Sequence, residues 1–405
     1  MKLRSWYLVS LFNLAIVALL GSLLRTKILF PLPWIDHKNF INAHSHFAFG
    51  AWISLSFLAM FTDTLLPESK MNKAWYNQML WGLQLSSIGM LLSFPFQGYG
   101  AISIFFSTMF ILFSYGYAWA FIKDMSRSGT KGPEVILAVS ALICLVISSF
   151  GPFTLAYVLA SGSLNAILYK DAVYFYLHFQ YNGFFTLAIF ALLIAKLKDD
   201  SKDYRASLFA KLLCFSIIPS FFLTLLWHSE NWLVRSLALT GVLLLLASLF
   251  MFFRFMLTKP ARQVFPHPIA LLVCRLALIS FVLKILLQAG TVVPELGHAV
   301  FGLRPVIIGF LHLVFLGLAS FYILAEYIQR QVLDTGRGIA RTAIYGFMTS
   351  VVVQETVLLV QGVGLLAGTS FSMFNWILWV LSIMLFTFAL LMAVSGLKNS
   401  FAGSA

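Results

Sequence analysis

Residues 304–328 read RPVIIGFLHLVFLGLASFYILAEYI, and this stretch decides the fold. Its charged residues, Arg304 and Glu326, lie near its two ends, and one histidine, His312, lies inside it. A helix needs about 20 predominantly apolar residues to cross the hydrocarbon core of a bilayer. The stretch therefore predicts a transmembrane helix that carries a histidine.

Similar apolar runs recur along the whole chain, and each is long enough to span a bilayer. The first run is not a cleavable signal, because no small-residue processing site follows it. The sequence therefore predicts an all-α integral membrane protein, a single domain of twelve transmembrane helices over residues 1–405. The predicted spans are 6–25, 40–62, 75–96, 100–122, 135–160, 172–195, 208–228, 231–257, 268–290, 304–328, 341–367 and 373–397.

Composition supports this class and excludes others. Of the 405 residues, 60% are hydrophobic and only 10% are charged, whereas about a quarter of an ordinary soluble chain is charged. The formal net charge of +13 does not indicate nucleic acid, because the basic residues lie at helix ends rather than in one patch interleaved with aromatics. Cys144, Cys214 and Cys274 show no CxxC spacing, so a disulfide framework is excluded.

The distribution of basic residues predicts the orientation. Most of the 27 lysines and arginines lie at the amino terminus, in the loops after the even-numbered spans and at the carboxyl end. By the positive-inside rule, both termini are cytoplasmic, in a bacterial-type inner membrane. Arg275 and Lys284 fall inside the ninth span, and we expect both to reach towards the nearer membrane surface. The opposite face holds few basic residues: Arg25, Lys27, Lys38, Lys170, Arg235 and Arg304.

Seven of the eight histidines fall at the end of the bundle opposite the basic loops; only His267 does not. Polar residues in lipid are costly and usually mark a site inside the bundle. Imidazole is the usual protein ligand of heme iron, copper and non-heme iron. Each histidine taken singly is also explained as an interhelical hydrogen-bond donor. The seven are His37, His44, His46, His178, His228, His298 and His312.

Three short patches give these histidines a context. The tenth span contains FLHLVFLG around His312, the sixth contains HFQYNGFFT from His178, and the second opens with NAHSH, which holds His44 and His46. With twelve spans in this order, the chain resembles the catalytic subunit of the heme-copper oxidase superfamily, and nitric oxide reductases most closely. The resemblance covers the whole chain by topology and these short patches by motif.

The resemblance implies a low-spin heme held between two helices. His44 matches the family's heme ligand on the second helix, and His312 matches its partner on the tenth. His46 lies where the family has an asparagine, so it is an alternative ligand or a partner of a propionate. Arg304, with Arg25 and Arg235, is a candidate for binding the propionates. The chain has no CxxCH motif, so the implied cofactor is a b-type heme.

The family's catalytic centre is only partly matched. The ligand of its high-spin heme corresponds to Phe310, and phenylalanine cannot bind iron. The reductases' glutamates on the sixth helix are replaced by Asn182 and Thr186. A second metal or heme would need His178 and His228, with Glu230 as a further candidate ligand and with His298 or His46 completing the set. The resemblance thus implies that the usual binuclear centre is missing.

Three functions follow as alternatives. The first is heme-based electron transfer, or a heme-dependent response to nitric oxide or oxygen, with a cytochrome c-type partner. The second is a noncanonical nitric oxide or oxygen reductase at a rebuilt metal site. The third is a transporter or metal-handling protein without heme. Glu355, a carboxylate inside the eleventh span, is either a proton-relay group or a hydrogen-bond partner of a neighbouring helix.

Overall fold

The computed structural model describes residues 3–67, 73–197, 203–258, 261–369 and 371–402. Within these ranges the chain forms helices and no strands, and twelve helices are long and apolar enough to cross a membrane, which confirms the predicted fold. The protein is therefore a multi-pass membrane protein. The twelve are α1 Arg4–Leu29, α2 His37–Thr64, α3 Lys73–Gln97, α4 Ala101–Ser128, α5 Pro133–Ala160, α6 Ala166–Ala195, α7 Tyr204–Leu225, α8 Trp232–Met256, α9 Pro268–Gly290, α10 Arg304–Gln329, α11 Gly338–Leu366 and α12 Met373–Asn399.

Local sequence signals set where several of these helices begin. The side chains of Asp36, Asn165 and Asn231 each accept a hydrogen bond from a backbone amide in the first turn of α2, α6 and α8, at 2.8 to 2.9 Å. Such caps satisfy amides that have no partner within the helix. Pro133 and Pro268 stand at the starts of α5 and α9, where the missing amide hydrogen costs nothing.

The helices differ in how deeply they lie in the bundle. In α6, 94% of the most apolar 18-residue stretch is buried, and in α2 83%, whereas in α4 only 22% is. Large apolar side chains such as Phe96, Trp119 and Phe215 are more than half exposed. A soluble protein would bury such residues, but in a membrane they face lipid. The central helices α2 and α6 are therefore the places where polar side chains meet other helices.

We call the end of the bundle where α1 ends and α2 begins the histidine end, and the opposite end the basic end. The basic end is closed by charged side chains. Glu326, which is fully buried, pairs with Lys196 at 2.9 Å and with Arg330 at 3.2 Å, and accepts a hydrogen bond from Tyr322 at 3.0 Å. Arg330 also pairs with Asp63 at the end of α2. This basic-end network ties α2, α6 and α10 together.

The three helices of this network also share an irregularity. Each contains a π-helical segment that begins one or two residues after a histidine. The segments are Ala48–Ser54 in α2, Phe179–Phe185 in α6 and Leu313–Ser320 in α10. Rings from the three segments meet in one layer, with the centroid of Phe49 4.6 Å from that of Phe315 and 6.0 Å from that of Phe185. Single-turn π-segments inside helices often occur at functional sites.

The histidine end of α10 is open by comparison. No residue of Arg304–His312 is buried, whereas six of the eight residues of Leu313–Ser320 are. This first half of α10 packs mainly against α11. The aromatic layer begins just beyond this segment, where α10 becomes mostly buried.

Candidate functional site

His44 lies in α2 just before the π-segment, and its ring contacts α1. Its Nδ1 lies 3.1 Å from the carbonyl oxygen of Val17. Because a carbonyl oxygen only accepts, Nδ1 carries the proton, and Nε2 keeps its lone pair. Nε2 has no hydrogen-bond partner among the described residues. A histidine oriented through one nitrogen by a carbonyl oxygen, with the other nitrogen free, is arranged as metal ligands usually are.

Close packing from α1 holds this ring in place. A Cβ atom at Gly21 would lie 3.3 Å from Cε1 of His44, closer than most real contacts of this kind. The absence of a side chain at position 21 therefore makes room for the imidazole beside Val17.

His312 lies in α10, directly before its π-segment. Its Nδ1 is enclosed and has no hydrogen-bond partner in the described part of the chain. The ring lies close enough to His44 and to Arg25 for electrostatic interaction with both. An enclosed imidazole without partners is unusual, because buried polar groups are nearly always hydrogen-bonded. We call His44 on α2 and His312 on α10 the histidine pair.

Two arginines lie beside the histidine pair. Arg25, near the end of α1, and Arg304, the first residue of α10, are close enough to repel each other. Arg304 contacts the Nε2 atom of His37 at 2.9 Å. Neither arginine forms an ion pair with a carboxylate of the described residues. We call Arg25 and Arg304 the arginine pair; two unpaired guanidinium groups suit a ligand with carboxylates. The third candidate, Arg235, lies on α8 beside the end of α9, away from this group.

His46 points elsewhere. Its Nε2 lies 3.1 Å from the hydroxyl of Tyr99, and its ring stacks on Phe94 with centroids 4.6 Å apart. Residues two apart on a helix point in nearly opposite directions. His46 therefore turns towards α3, while His44 turns towards α1, which leaves His46 outside the histidine pair.

His178 is buried between α6 and α7 and uses both ring nitrogens. Nε2 lies 2.8 Å from the carbonyl oxygen of Ile217, so it donates, and Nδ1 accepts from Asn182 at 3.0 Å. The neighbouring Phe310 packs edge-on against Tyr181 at 5.7 Å. In this arrangement His178 links two helices, and a metal would have to displace one of its two hydrogen bonds.

The other predicted metal ligands lie apart from His178. His228 is on the surface of the histidine end, where its Nε2 pairs with Asp171 at 3.0 Å, and Glu230 is exposed nearby. The side chain of His298 lies outside the described part. Among the residues described, no group of three or more histidines, cysteines, aspartates and glutamates is placed to hold a metal ion. A second metal centre stays a prediction.

Two charged residues inside the membrane were interpreted from sequence alone. The sequence predicts that Lys284 reaches the membrane surface. This prediction is wrong, because the side chain is buried inside the bundle and only 1% exposed. Its position on a helix face turned into the bundle prevents it from extending outwards. Glu355 is partly buried in α11, and its Oε1 has no hydrogen-bond partner in the described ranges.

The π-segments were not predicted, although the sequence holds a signal for them. A glycine lies five residues after His178 and after His312, at Gly183 and Gly317. A Cβ atom at Gly317 would lie 2.6 Å from Oγ of Ser280 on α9. The glycines thus allow close approach of neighbouring helices just beyond the histidines.

No family model and no curated protein matches this chain.

The residues at the histidine end can be tested for their fit to a heme. The histidine pair offers two imidazoles from different helices, one of them oriented by a backbone carbonyl and the other an enclosed ring without partners. The arginine pair offers cationic partners for two carboxylates. These residues fit a heme with two axial histidines, whereas His178, His228 and Glu230 are not gathered for a second metal.

Proposed function

We propose that the chain is a heme-binding membrane protein of the heme-copper oxidase type, with one b-type heme held by His44 and His312. The observation that carries the proposal is that His44 on α2 and His312 on α10 lie within electrostatic range of each other, and that each has a ring nitrogen without a hydrogen-bond partner. Two arginines that have no carboxylate partner lie in the same region. The motif resemblance at the same two histidines points in the same direction.

The proposed role is electron transfer at the outer side of a bacterial-type inner membrane, with a response to nitric oxide or oxygen as the alternative role of the same site. A heme iron with two histidine ligands changes its oxidation state with little rearrangement. The chain's own residues would orient and enclose the cofactor. Val17 fixes the ring of His44, Gly21 leaves room for it, and the arginine pair would bind the propionates. A cytochrome c-type protein is the proposed redox partner.

The heme content of the purified full-length protein, measured as the pyridine hemochrome, tests this proposal. We expect about one b-type heme per chain in the wild type, and a several-fold loss of heme in His44→Ala and in His312→Ala, because each removes an axial ligand. His46→Ala is the matched control, since His46 lies two residues away and faces α3. The proposal is wrong if protein made with sufficient heme supply contains none, or if His46→Ala alone loses it.

A heme-free transporter is a second candidate, and one observation favours it. No residue of Arg304–His312 at the histidine end is buried, while the basic end is closed by buried ion pairs. Transporters present a site to one side of the membrane while the other side is sealed. A protein that is well folded without heme and binds a transition-metal ion through His44 and His312 would support this candidate against the first.

A further inference from the structure

A pocket lies at the histidine end, where α7 ends, α8 begins and α9 ends. Its volume is about 210 Å³, several times the ~30 Å³ that one water molecule occupies. The lining combines one positive charge, two hydroxyls and an apolar surface. The polar lining residues are Arg235, Ser236 and Thr291, and the others are Leu226, Leu239, Val292, Pro294 and Gly297.

Packed residues hold the lining in place. Leu226 and Val292 pack against a buried apolar cluster that joins the ends of α7 and α9 to α8. Gly297 belongs to a short helix, Pro294–Gly302, that follows α9. A Cβ atom at Gly297 would lie 2.9 Å from the carbonyl oxygen of Thr291, so only glycine lets this helix pack so closely against the end of α9. The pocket is therefore formed by residues that fix one another.

Arg235 has no partner of opposite charge in the described part of the chain. Its side chain is exposed and forms no ion pair, not even with Glu230, the carboxylate nearest in sequence. It follows by four residues Asn231, whose side chain caps the start of α8. The start of a helix carries a partial positive charge, which favours an anion and disfavours a cation. The guanidinium group and the helix therefore both favour an anion in this pocket.

Exposed apolar stripes extend from the pocket towards the middle of the membrane. On α8 the stripe continues from Arg235, and on α9 from Thr291, at spacings of three or four residues, which keep side chains on one helix face. Their members are 37% to 59% exposed, and such side chains contact lipid in a membrane. They are Leu239, Leu243 and Leu246 on α8, and Leu287 and Leu283 on α9.

We propose that this pocket binds the headgroup phosphate of an anionic phospholipid, whose acyl chains lie along the leucines of α8 and α9. The planar guanidinium group of Arg235 matches two oxygens of a phosphate. The hydroxyl of Ser236 has no hydrogen-bond partner among the described residues and can donate to a further oxygen. Basic pockets between transmembrane helices bind lipid headgroups in this way.

The apolar stripes favour a lipid over a free phosphate ion, which would use only the polar lining. The unpaired charge of Arg235 favours an anionic lipid over a zwitterionic one, because the ammonium group of the latter would come close to the guanidinium group. The site is independent of the histidine pair. It gives Arg235, which lies away from the arginine pair, a role other than binding a propionate.

Thermal unfolding of the purified full-length protein in detergent tests the site, with phosphatidylglycerol, phosphatidylethanolamine or inorganic phosphate added at equal ionic strength. We expect phosphatidylglycerol to raise the unfolding midpoint in a saturable manner, because a ligand of the folded state stabilises it. The Arg235→Gln variant should lose this shift. Lys38→Gln is the matched control and should keep it, since it removes an exposed basic residue near the start of α2 at the same end of the bundle.

Native mass spectrometry of the same proteins counts the bound lipid directly and does not depend on how stable a variant is to heating. The fraction of chains that carry phosphatidylglycerol should be several-fold smaller in Arg235→Gln than in the wild type and in Lys38→Gln. The proposal is overturned if inorganic phosphate or phosphatidylethanolamine stabilises the wild type as much as phosphatidylglycerol does. It is also overturned if Arg235→Gln keeps the bound lipid, or if Lys38→Gln loses as much of it as Arg235→Gln.

Discussion

Among single residues, His44 differs from His46 and His178 in having one nitrogen tied to a backbone carbonyl and the other without a partner. Its position depends on the glycine opposite. We predict that Gly21→Val displaces the ring, because even one added carbon would come within 3.3 Å of Cε1. The heme-to-protein ratio should fall several-fold. Gly338→Val is the control, since a Cβ at Gly338 has no atom within 4 Å; unchanged heme content in Gly21→Val would contradict this account of the site.

The residues of the proposed heme site could be named from the sequence, whereas the burial of Lys284 could not be predicted. His44, His312, Arg25 and Arg304 could all be named from composition, position and motif, because ligand chemistry restricts the choice to few residue types. Whether a lysine reaches the surface depends on which helix face turns into the bundle, and periodicity is weak in helices that are apolar all round.

At the scale of the helix, the π-segments combine a histidine, an aromatic layer and a glycine contact. We predict that Gly317→Ala destabilises the protein by about 1 to 3 kcal/mol, the usual effect of overpacking, because its Cβ would meet Oγ of Ser280 at 2.6 Å. The double variant Gly317→Ala/Ser280→Ala removes that oxygen and should recover part of the loss. Thermal unfolding of the two single variants and the double variant measures the coupling. If the two substitutions change the free energy of unfolding additively, the contact between the added Cβ and Oγ of Ser280 is not the cause of the destabilisation.

The twelve helices themselves were predictable, since the length and apolarity of each run suffice for a membrane span. The π-segments were not, because an extra residue in a helical turn is stabilised by tertiary contacts rather than by local propensity. In α6 and α10, the hydroxyls of Thr186 and Ser320 bond to the carbonyl oxygens five residues earlier, at 2.6 and 2.7 Å. A serine or threonine at that spacing is too common in membrane helices to have indicated this in advance.

At the scale of the whole molecule, the basic end of the bundle is closed by charged side chains, whereas the α10 segment at the histidine end has no buried residue. We predict that Glu326→Ala destabilises the protein by about 3 kcal/mol, the lower end of the usual effect of breaking a buried ion pair, because Lys196 loses its partner while Arg330 keeps Asp63. Asp334→Ala is the matched control. It breaks an exposed pair with Arg337 at 3.4 Å, which should cost no more than about 1 kcal/mol. Equal unfolding midpoints for the two variants would contradict a structural role for the basic-end network.

The central claim is that His44 and His312 bind one heme iron between α2 and α10. The electron paramagnetic resonance spectrum of the oxidised full-length protein tests it most directly. We predict one low-spin ferric species, as two imidazole ligands require, in the wild type and in His46→Ala, and its loss in both His44→Ala and His312→Ala. A spectrum without heme iron, or a low-spin signal that survives both of those substitutions, would contradict the claim.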